Sequence, residues 1–313
     1  MKIISRDQIE KILPSLDLMP EIEQAFQAYS EGRAVVPPVG ELLLDRGEVH
    51  IKYGYVKEQP YYVIKIASGF YEDPAQQRMS SNGMILLFSQ QSGQAVCALL
   101  DEGLLTNIRT AVAGAIAAKY LAPERVDKIG MVGAGTQARL QLSYLKAVTS
   151  CRRVLVWGTS QEELESYRHD MEQEGFMIKT TEDIRDIQEE CKLIVTTTPS
   201  LTPLLLSDHL QKGTHITAVG SDTPDKHELD PEILRQADLV VADSMEQCLV
   251  RGEIHQAMKA GLFEKHQMLE LGQIISGTIK GRESKDQITV ADLTGVAVQD
   301  MAIAQAVYQA SQA

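Results

Sequence analysis

Three groups of residues in this chain have types and spacings that could do chemistry. The first is Gly133-Ala134-Gly135-Thr136-Gln137-Ala138, a G-x-G-x-x-A turn between the apolar stretch Lys128–Val132 and a helical pattern over Arg139–Val148. In that context the first glycine permits a tight turn and the second lets backbone approach a pyrophosphate. The helix N-terminus presents free N–H groups to the same anion, which is the arrangement of a dinucleotide site. The second group is Gly220-Ser221-Asp222-Thr223-Pro224-Asp225-Lys226-His227-Glu228-Leu229-Asp230, which follows a predicted strand over His215–Val219. Ligands of a doubly wound sheet sit beyond the carboxyl ends of its strands, so Asp222 falls where a proton could be moved on a substrate. A turn or helix cap accounts for this aspartate equally well. The third group consists of cations in apolar or small-residue surroundings. Lys52 interrupts His50-Ile51-Lys52-Tyr53, Lys65 interrupts Val63-Ile64-Lys65-Ile66-Ala67, and Arg109 opens a helix at Asn107-Ile108-Arg109-Thr110. A cation on a buried strand is unfavourable unless it meets an anion. A substrate carboxylate would supply one, and arginine is suited to hold it bidentately. The competing reading puts both lysines on the solvent face of an edge strand.

Positioning these residues requires two kinds of fold. The first ~35 residues read as helical, with Ile9, Ile12, Leu13, Leu16, Ile22, Ala25 and Phe26 at helical spacing, and Pro37-Pro38 ends them. Segments rich in β-branched and aromatic residues follow at Glu41–Leu44, Val49–Tyr55, Tyr61–Ile66, Met84–Ser89 and Ala95–Asp101, which predicts an antiparallel meander. An alanine-rich helix runs from Thr106 to Leu121 and stops before Pro123. From Asp127 strands alternate with helices: strands at Lys128–Val132, Arg153–Trp157, Met177–Lys179, Leu193–Thr197, His215–Val219 and Leu239–Ala242 imply βαβ units. A last helix, Val296–Gln309, is expected to cross back onto the N-terminal part. The expected architecture is therefore α/β: a Rossmann-type doubly wound parallel sheet over 123–295, and a discontinuous α+β substrate and dimerisation domain over 1–122 and 296–313.

The second strand of a dinucleotide fold ordinarily ends in a carboxylate for the ribose 2′-hydroxyl. Here that point reads Trp157-Gly158-Thr159-Ser160. Thr159, Ser160 and Arg139 could contact a 2′-phosphate, so the expectation is NAD(P)H with a lean to NADPH. The candidate cofactor residues are Gly133, Ala134, Gly135, Thr136 and Gln137 in the turn, with Trp157, Gly158, Thr159 and Ser160 at the second strand. Thr197 and Thr198, Val219 and Ser221 at later strand ends, and Thr110 on the alanine-rich helix complete the set. Ser80-Ser81-Asn82 and Thr196–Thr198 supply further hydroxyls, useful near a nicotinamide or ribose and equally ordinary as turn chemistry. Arg251-Gly252-Glu253-Ile254-His255 holds a histidine with nearby acids that a surface helix start explains as well.

Composition bounds the function. The 313 residues hold 43 acidic and 30 basic side chains, a formal net charge of −13, so a basic footprint for nucleic acid is missing. Apolar runs fall short of a membrane span, and Met-Lys-Ile-Ile-Ser-Arg-Asp places charge where a signal peptide needs an apolar region. Cys97, Cys151, Cys191 and Cys248 lack disulfide or zinc spacing, which points to a cytoplasmic protein with no metal. The G-x-S-x-G and H-E-x-x-H motifs of hydrolases are absent.

Taken in order, Val63-Ile64-Lys65, Gly69-Phe70-Tyr71-Glu72-Asp73, Ile108-Arg109-Thr110-Ala111 and the Val132–Ala138 turn make the chain resemble the ornithine cyclodeaminase/mu-crystallin family over essentially its whole length. Gly213–Gly220 before Asp222, and Asp292-Leu293-Thr294-Gly295, extend the resemblance. It implies a homodimer that passes a hydride between a nicotinamide and the α-carbon of an amino or imino acid. It also implies that Lys65 and Arg109 bind the substrate carboxylate and that Asp222 is the acid/base group; mu-crystallin lacks that aspartate. Two departures weigh against ornithine as substrate. Pro37-Pro38-Val39-Gly40-Glu41 lacks a carboxylate-binding arginine found in several members, a charge that Lys52 would replace, and Leu293 stands where serine is usual. The leading expectation is a reductase of a small 2-imino acid such as Δ1-pyrroline-2-carboxylate or an acyclic ketimine, with Asp222 and Lys65 catalytic. An ornithine-type cyclodeaminase using bound NAD+ comes second, an alanine-dehydrogenase-like enzyme third, and a non-catalytic NADP-binding protein last.

Overall fold

The computed structural model describes residues 1–73 and 78–312; the side chains of residues 71–81, Ser80 and Ser81 among them, lie outside the described residues. Internal contacts divide the chain into two compact units, Met1–Arg109 with Val296–Ala313, and Thr110–Gly295. The division falls inside the alanine-rich helix, whereas the sequence pattern places a boundary after that helix, at residue 122.

The first unit begins with β1 (Lys2–Ser5), α1 (Arg6–Ile12) and α2 (Leu18–Ser30). The meander follows: β2 (Ala34–Val35), β3 (Gly40–Leu44), β4 (Gly47–Val56), β5 (Tyr61–Asp73), β6 (Arg78–Ser89) and β7 (Ala95–Leu100), leading to α3 (Leu104–Leu121). They form one seven-stranded sheet in the order β1-β7-β6-β5-β4-β2, with β3 also paired to β4. From β3 to β7 each strand pairs antiparallel with the next, as the alternating patterns predict. The N-terminus departs from its helical reading. Lys2–Ser5 pairs parallel with β7, burying Ile4 and leaving Ile3 exposed. Four residues are too few for a period to show, and a partner about 95 residues away decides their conformation.

Strand alternation sorts the central residues onto two faces. Lys52, Gly54 and Val56 on β4 and Val63 and Lys65 on β5 are buried, whereas Tyr53 and Tyr55 between them are exposed. On β5 and β6, Tyr62 stacks on Phe88 at 4.9 Å between ring centroids.

The second unit carries β8 (Ile129–Val132), α4 (Thr136–Leu145), β9 (Arg153–Trp157), α5 (Gln161–Gln173), β10 (Met177–Thr181) and α6 (Arg185–Glu190). It continues through β11 (Leu193–Thr196), β12 (His215–Ala218), α7 (Pro231–Gln236), β13 (Leu239–Ala242), α8 (Met245–Cys248) and α9 (Gly252–Lys259). It ends with β14 (Met268–Glu270), α10 (Leu271–Ile275) and β15 (Thr289–Asp292). All eight strands are parallel, in the order β10-β9-β8-β11-β12-β15-β13-β14. Val132, Leu155, Ile194, Ile216 and Val290 from successive strands form the centre of its core. This is the α/β Rossmann-type sheet that the alternation of elements predicts, with β14 and β15 added. The order reverses between β8 and β11, so the crevice that binds ligands in such sheets opens at the carboxyl ends of these two strands.

The chain then returns to the first unit as α11 (Ala297–Ala310), which packs on α2 and β4. Gly54 permits the close fit: a Cβ there would lie 2.3 Å from the Val35 carbonyl oxygen and 2.6 Å from Met301 Cε. Among the described residues, no helix is long and apolar enough to cross a membrane. Ile303 is fully buried on α11. Ile303→Ala is expected to lower stability by about 2–5 kcal/mol in urea denaturation; a loss below about 1 kcal/mol would contradict this packing.

Candidate functional site

The glycine turn sits at the reversal point of the parallel sheet. Gly133 has φ of +107°, and a Cβ on it would lie 2.6 Å from Thr197 Oγ1, at the end of the neighbouring strand β11. Its N–H donates to the Trp157 carbonyl at 2.8 Å, which ties the turn to β9. Gly135 is the N-cap of α4, where no side chain caps the helix, and its Cβ position meets nothing within 4 Å. An open cradle before uncapped helical N–H groups fits the pyrophosphate of a dinucleotide. Thr136 and Gln137 begin α4, Ala134 is buried, and the carbonyl of Thr110 accepts from Gln141 Nε2 at 3.1 Å.

At the end of β9 the polar groups are engaged by the protein itself. Ser160 Oγ caps α5 by accepting from Glu163 N at 3.3 Å, and Trp157 Nε1 donates to the Glu182 carbonyl at 3.3 Å. A Cβ on Gly158 would meet Leu164 at 3.3 Å and Ala134 at 3.6 Å, while Thr159 is exposed. Arg139 pairs with Asp170 at 2.8 Å, donates to Ser166 Oγ at 3.1 Å and to the Ala134 carbonyl, and lies 5.3 Å from the Tyr167 ring.

A buried carboxylate straps two neighbouring strand ends together. Glu228 Oε1 accepts from Thr198 N at 2.6 Å and Thr198 Oγ1 at 2.8 Å. Its Oε2 accepts from Thr196 Oγ1 at 2.7 Å and Gly220 N at 3.0 Å. Burial pushes the Glu228 carboxyl up to about 7, against the pull of these donors. Glu253 continues the network, accepting from Ser221 Oγ, from Glu228 N at 2.8 Å and from Leu229 N at 3.2 Å. Burial, then the charges of Asp292 and Glu228, raise its carboxyl well above the ordinary range. The segment Arg251–Ile254 is therefore a buried helix start that anchors the Asp222 loop, not a surface one, because Glu253 turns inward onto backbone N–H groups. Arg251 Nη1 also donates to the Asp222 carbonyl at 3.1 Å, and Gln256 Nε2 to the Pro224 carbonyl at 2.6 Å. Asp222 itself follows β12 and is half exposed, with Lys226 Nζ 2.8 Å from its Oδ1. Val219 is buried and donates to the Thr196 carbonyl at 3.0 Å.

In the first unit the three cations come together. Lys52 and Lys65 are directly opposite on β4 and β5, and both are buried with Arg109. The edge-strand alternative therefore fails for both lysines, since each sits on a strand paired on both sides. Their partner lies on α11. Asp300 Oδ1 is 3.1 Å from Lys65 Nζ and 3.1 Å from Arg109 Nε, and Gln299 Oε1 accepts from Arg109 Nη1 at 2.9 Å. Burial lowers Lys65 to about 8, with Asp300 opposing and Arg109 reinforcing the drop. Against its own desolvation, Lys65, Arg109 and Lys52 hold the Asp300 carboxyl below its usual range.

Asp300 was not among the residues the sequence singled out. Its signal was available: one carboxylate inside Val296-Ala297-Val298-Gln299-Asp300-Met301-Ala302-Ile303, as isolated there as Lys65 is on its strand. Glu228 gave no such signal, because Lys226-His227-Glu228-Leu229-Asp230 has the polar composition of a loop.

Gly133→Ala is expected to weaken NADH binding about tenfold or more while far-ultraviolet circular dichroism is preserved, because its φ and Thr197 both oppose a side chain. Unchanged NADH affinity would contradict the cradle. In Glu228→Gln the amide NH2 must face a backbone N–H, of Thr198 or of Gly220, whichever way it turns. The expected loss is about 2 kcal/mol in thermal denaturation; wild-type stability would show that the strap is dispensable.

The sequence profile of the ornithine cyclodeaminase/mu-crystallin family matches residues 1–313. An uncharacterized cyclodeaminase of Sinorhizobium fredii is 40% identical over 320 residues, covering 100% of this chain and 96% of that protein. The solved Δ1-pyrroline-2-carboxylate reductase of Thermococcus litoralis, in complex with NADH and L-proline, is 28% identical with a TM-score of 0.92, covering 100% of this chain and 98% of that one. An archaeal alanine dehydrogenase dimer with bound NAD is 30% identical with a TM-score of 0.91, covering 100% and 96%. With the whole chain matched and the Rossmann-type sheet in common, this protein belongs to the ornithine cyclodeaminase/mu-crystallin family.

Proposed function

We propose that the chain is a nicotinamide-dependent reductase of a small 2-imino acid, either Δ1-pyrroline-2-carboxylate or an acyclic ketimine. The observation that carries this reading is the sharing of one Asp300 oxygen by two buried cations, Lys65 and Arg109. Two positive charges on one anion leave the cluster attractive to a further carboxylate. When bound, the reduced nicotinamide supplies the hydride for the C=N carbon. Lys65, Arg109 and Lys52 would hold the substrate carboxylate and so fix the orientation of the C=N bond. Asp222, directly or through water, would manage the proton on nitrogen, since a protonated imine is the better hydride acceptor. The turn residues Gly133 to Gln137 would take the pyrophosphate. Thr197, Thr198, Val219, Ser221 and Thr110 would contribute mainly through position, because the Thr197, Thr198 and Ser221 hydroxyls are spent on Val132, Glu228 and Glu253.

The lean to NADPH rests on Thr159, Ser160 and Arg139, of which Ser160 caps α5 and Arg139 is paired with Asp170. Only Thr159 is left of that set, so we read NADH as the preferred form. The exposed apolar residues Leu42, Leu43, Tyr53 and Tyr55 on the first unit, with the dimer seen for the archaeal alanine dehydrogenase, support a homodimer. Four free, buried cysteines agree with a cytoplasmic location. The second reading, ring closure of ornithine with loss of ammonia, is favoured by the cyclodeaminase relative of 40% identity.

The test assays purified protein with NADH and NADPH against Δ1-pyrroline-2-carboxylate, iminosuccinate, and pyruvate plus ammonia, beside ornithine with NAD+. A reductase consumes NADH in step with an imino acid. Ammonia release from ornithine without net NADH change would instead establish the second reading, and silence on every substrate with NADH still bound would remove the enzyme. Asp222→Asn is expected to lower kcat about 100-fold or more with NADH binding intact. Near-wild-type turnover would take Asp222 out of the chemistry.

A further inference from the structure

We propose that Asp300 is the positioning residue of the carboxylate site: its Oδ1, shared by Lys65 Nζ and Arg109 Nε, keeps Lys65 charged and Arg109 in place before a substrate arrives. The inference rests on the proposed reading of this cluster as the substrate-carboxylate site.

Three separate elements converge on this oxygen. Lys65 comes from β5, Arg109 from the first turns of α3 and Asp300 from α11, and both nitrogen–oxygen distances are 3.1 Å. Two lysines directly opposite on antiparallel strands repel one another, and Lys52 and Lys65 are such a pair. The charged groups acting on Lys65 are Asp300 on α11, Arg109 on α3, Asp101 beyond β7, and Lys52 opposite on β4. Of the two carboxylates, Asp300 has the larger effect and alone bonds the Lys65 amine. Asp101 is turned to another task, since its Oδ2 accepts from Leu105 N at 2.9 Å at the start of α3. Even with Asp300 in place, burial brings Lys65 down to about 8. Without that charge the amine would lose its proton at lower pH, and a neutral amine forms no ion pair with a carboxylate. Arg109 Nε would also lose its anchor, and among the described residues Gln299 would be left to orient the guanidinium. The lone Asp300 Oδ2 is buried without a hydrogen-bond partner among the described residues, so the carboxylate is held here by its two cations rather than by a wider network.

The experiment uses the full chain carrying Asp300→Asn or Asp300→Glu. NADH binding is read by fluorescence without imino acid, and KM, kcat and the pH profile of kcat/KM are read with Δ1-pyrroline-2-carboxylate. Asp300→Asn is expected to bind NADH like wild type and to raise KM about tenfold or more, with kcat changing less. Its alkaline limb should move to lower pH by about one unit or more. Asp300→Glu, which restores the charge, should return the limb toward the wild-type position. Wild-type KM and an unmoved limb in Asp300→Asn would overturn the proposal. Loss of NADH binding in both variants would also overturn it, by making Asp300 a packing residue. Lys65→Ala separates the two levels: if it raises KM while Asp300→Asn does not, only the role of Asp300 fails. If Lys65→Ala also leaves KM at the wild-type value, the carboxylate site itself is misplaced.

Discussion

The first unit is organised around a buried ion cluster in which one aspartate serves two cations. Burying Lys65 and Arg109 without an anion would cost several kcal/mol for each charge. Asp300 offsets this only because α11, at the far end of the chain, seats against β4 and brings its carboxylate to both nitrogens. That requirement explains why the unit is discontinuous in sequence. The meander supplies Lys52 and Lys65 and the start of α3 supplies Arg109, and the carboxylate that bonds both Lys65 and Arg109 comes from neither segment but from α11. Gly54, with no side chain against Met301, is the local concession that lets α11 approach.

The second unit solves a different problem by related means. Its strand ends must present backbone to a ligand, which leaves the ends themselves short of partners. Glu228 accepts from the end of β11 and the loops after β11 and β12, and Glu253 accepts from the loop after β12. The carboxyl oxygens are thus spent on the loop backbone, while the open cradle at Gly135 is left to helical N–H groups. Carboxylates placed so are unfavourable, as the upward displacement of both acids records. They are retained where an amide could not satisfy the same donors.

Much of this was legible in the sequence because it is local. The G-x-G-x-x-A turn, the alternation of β4 to β7 and the regular βαβ rhythm each declare themselves within about ten residues. Lys52, Lys65 and Arg109 were legible for another reason, as charges where the pattern calls for apolar side chains. What escaped was nonlocal. Lys2–Ser5 is a strand only because β7 lies beside it, and β14 and β15 are short strands that the parallel sheet completes. Asp300 escaped because its meaning depends on Lys65, 235 positions away. Glu228 escaped because a polar loop and a buried strap have the same composition.

In the proposed reaction hydrogen would move from the nicotinamide to the α-carbon of a substrate oriented by its carboxylate. The direct measurement supplies NADH deuterated at both C4 positions of the nicotinamide, together with Δ1-pyrroline-2-carboxylate, and examines the product by NMR. The expected product is proline carrying one deuterium at the α-carbon, formed in step with NADH oxidation. Proline formed without deuterium at that carbon, or NADH oxidised without any amino acid appearing, would contradict it.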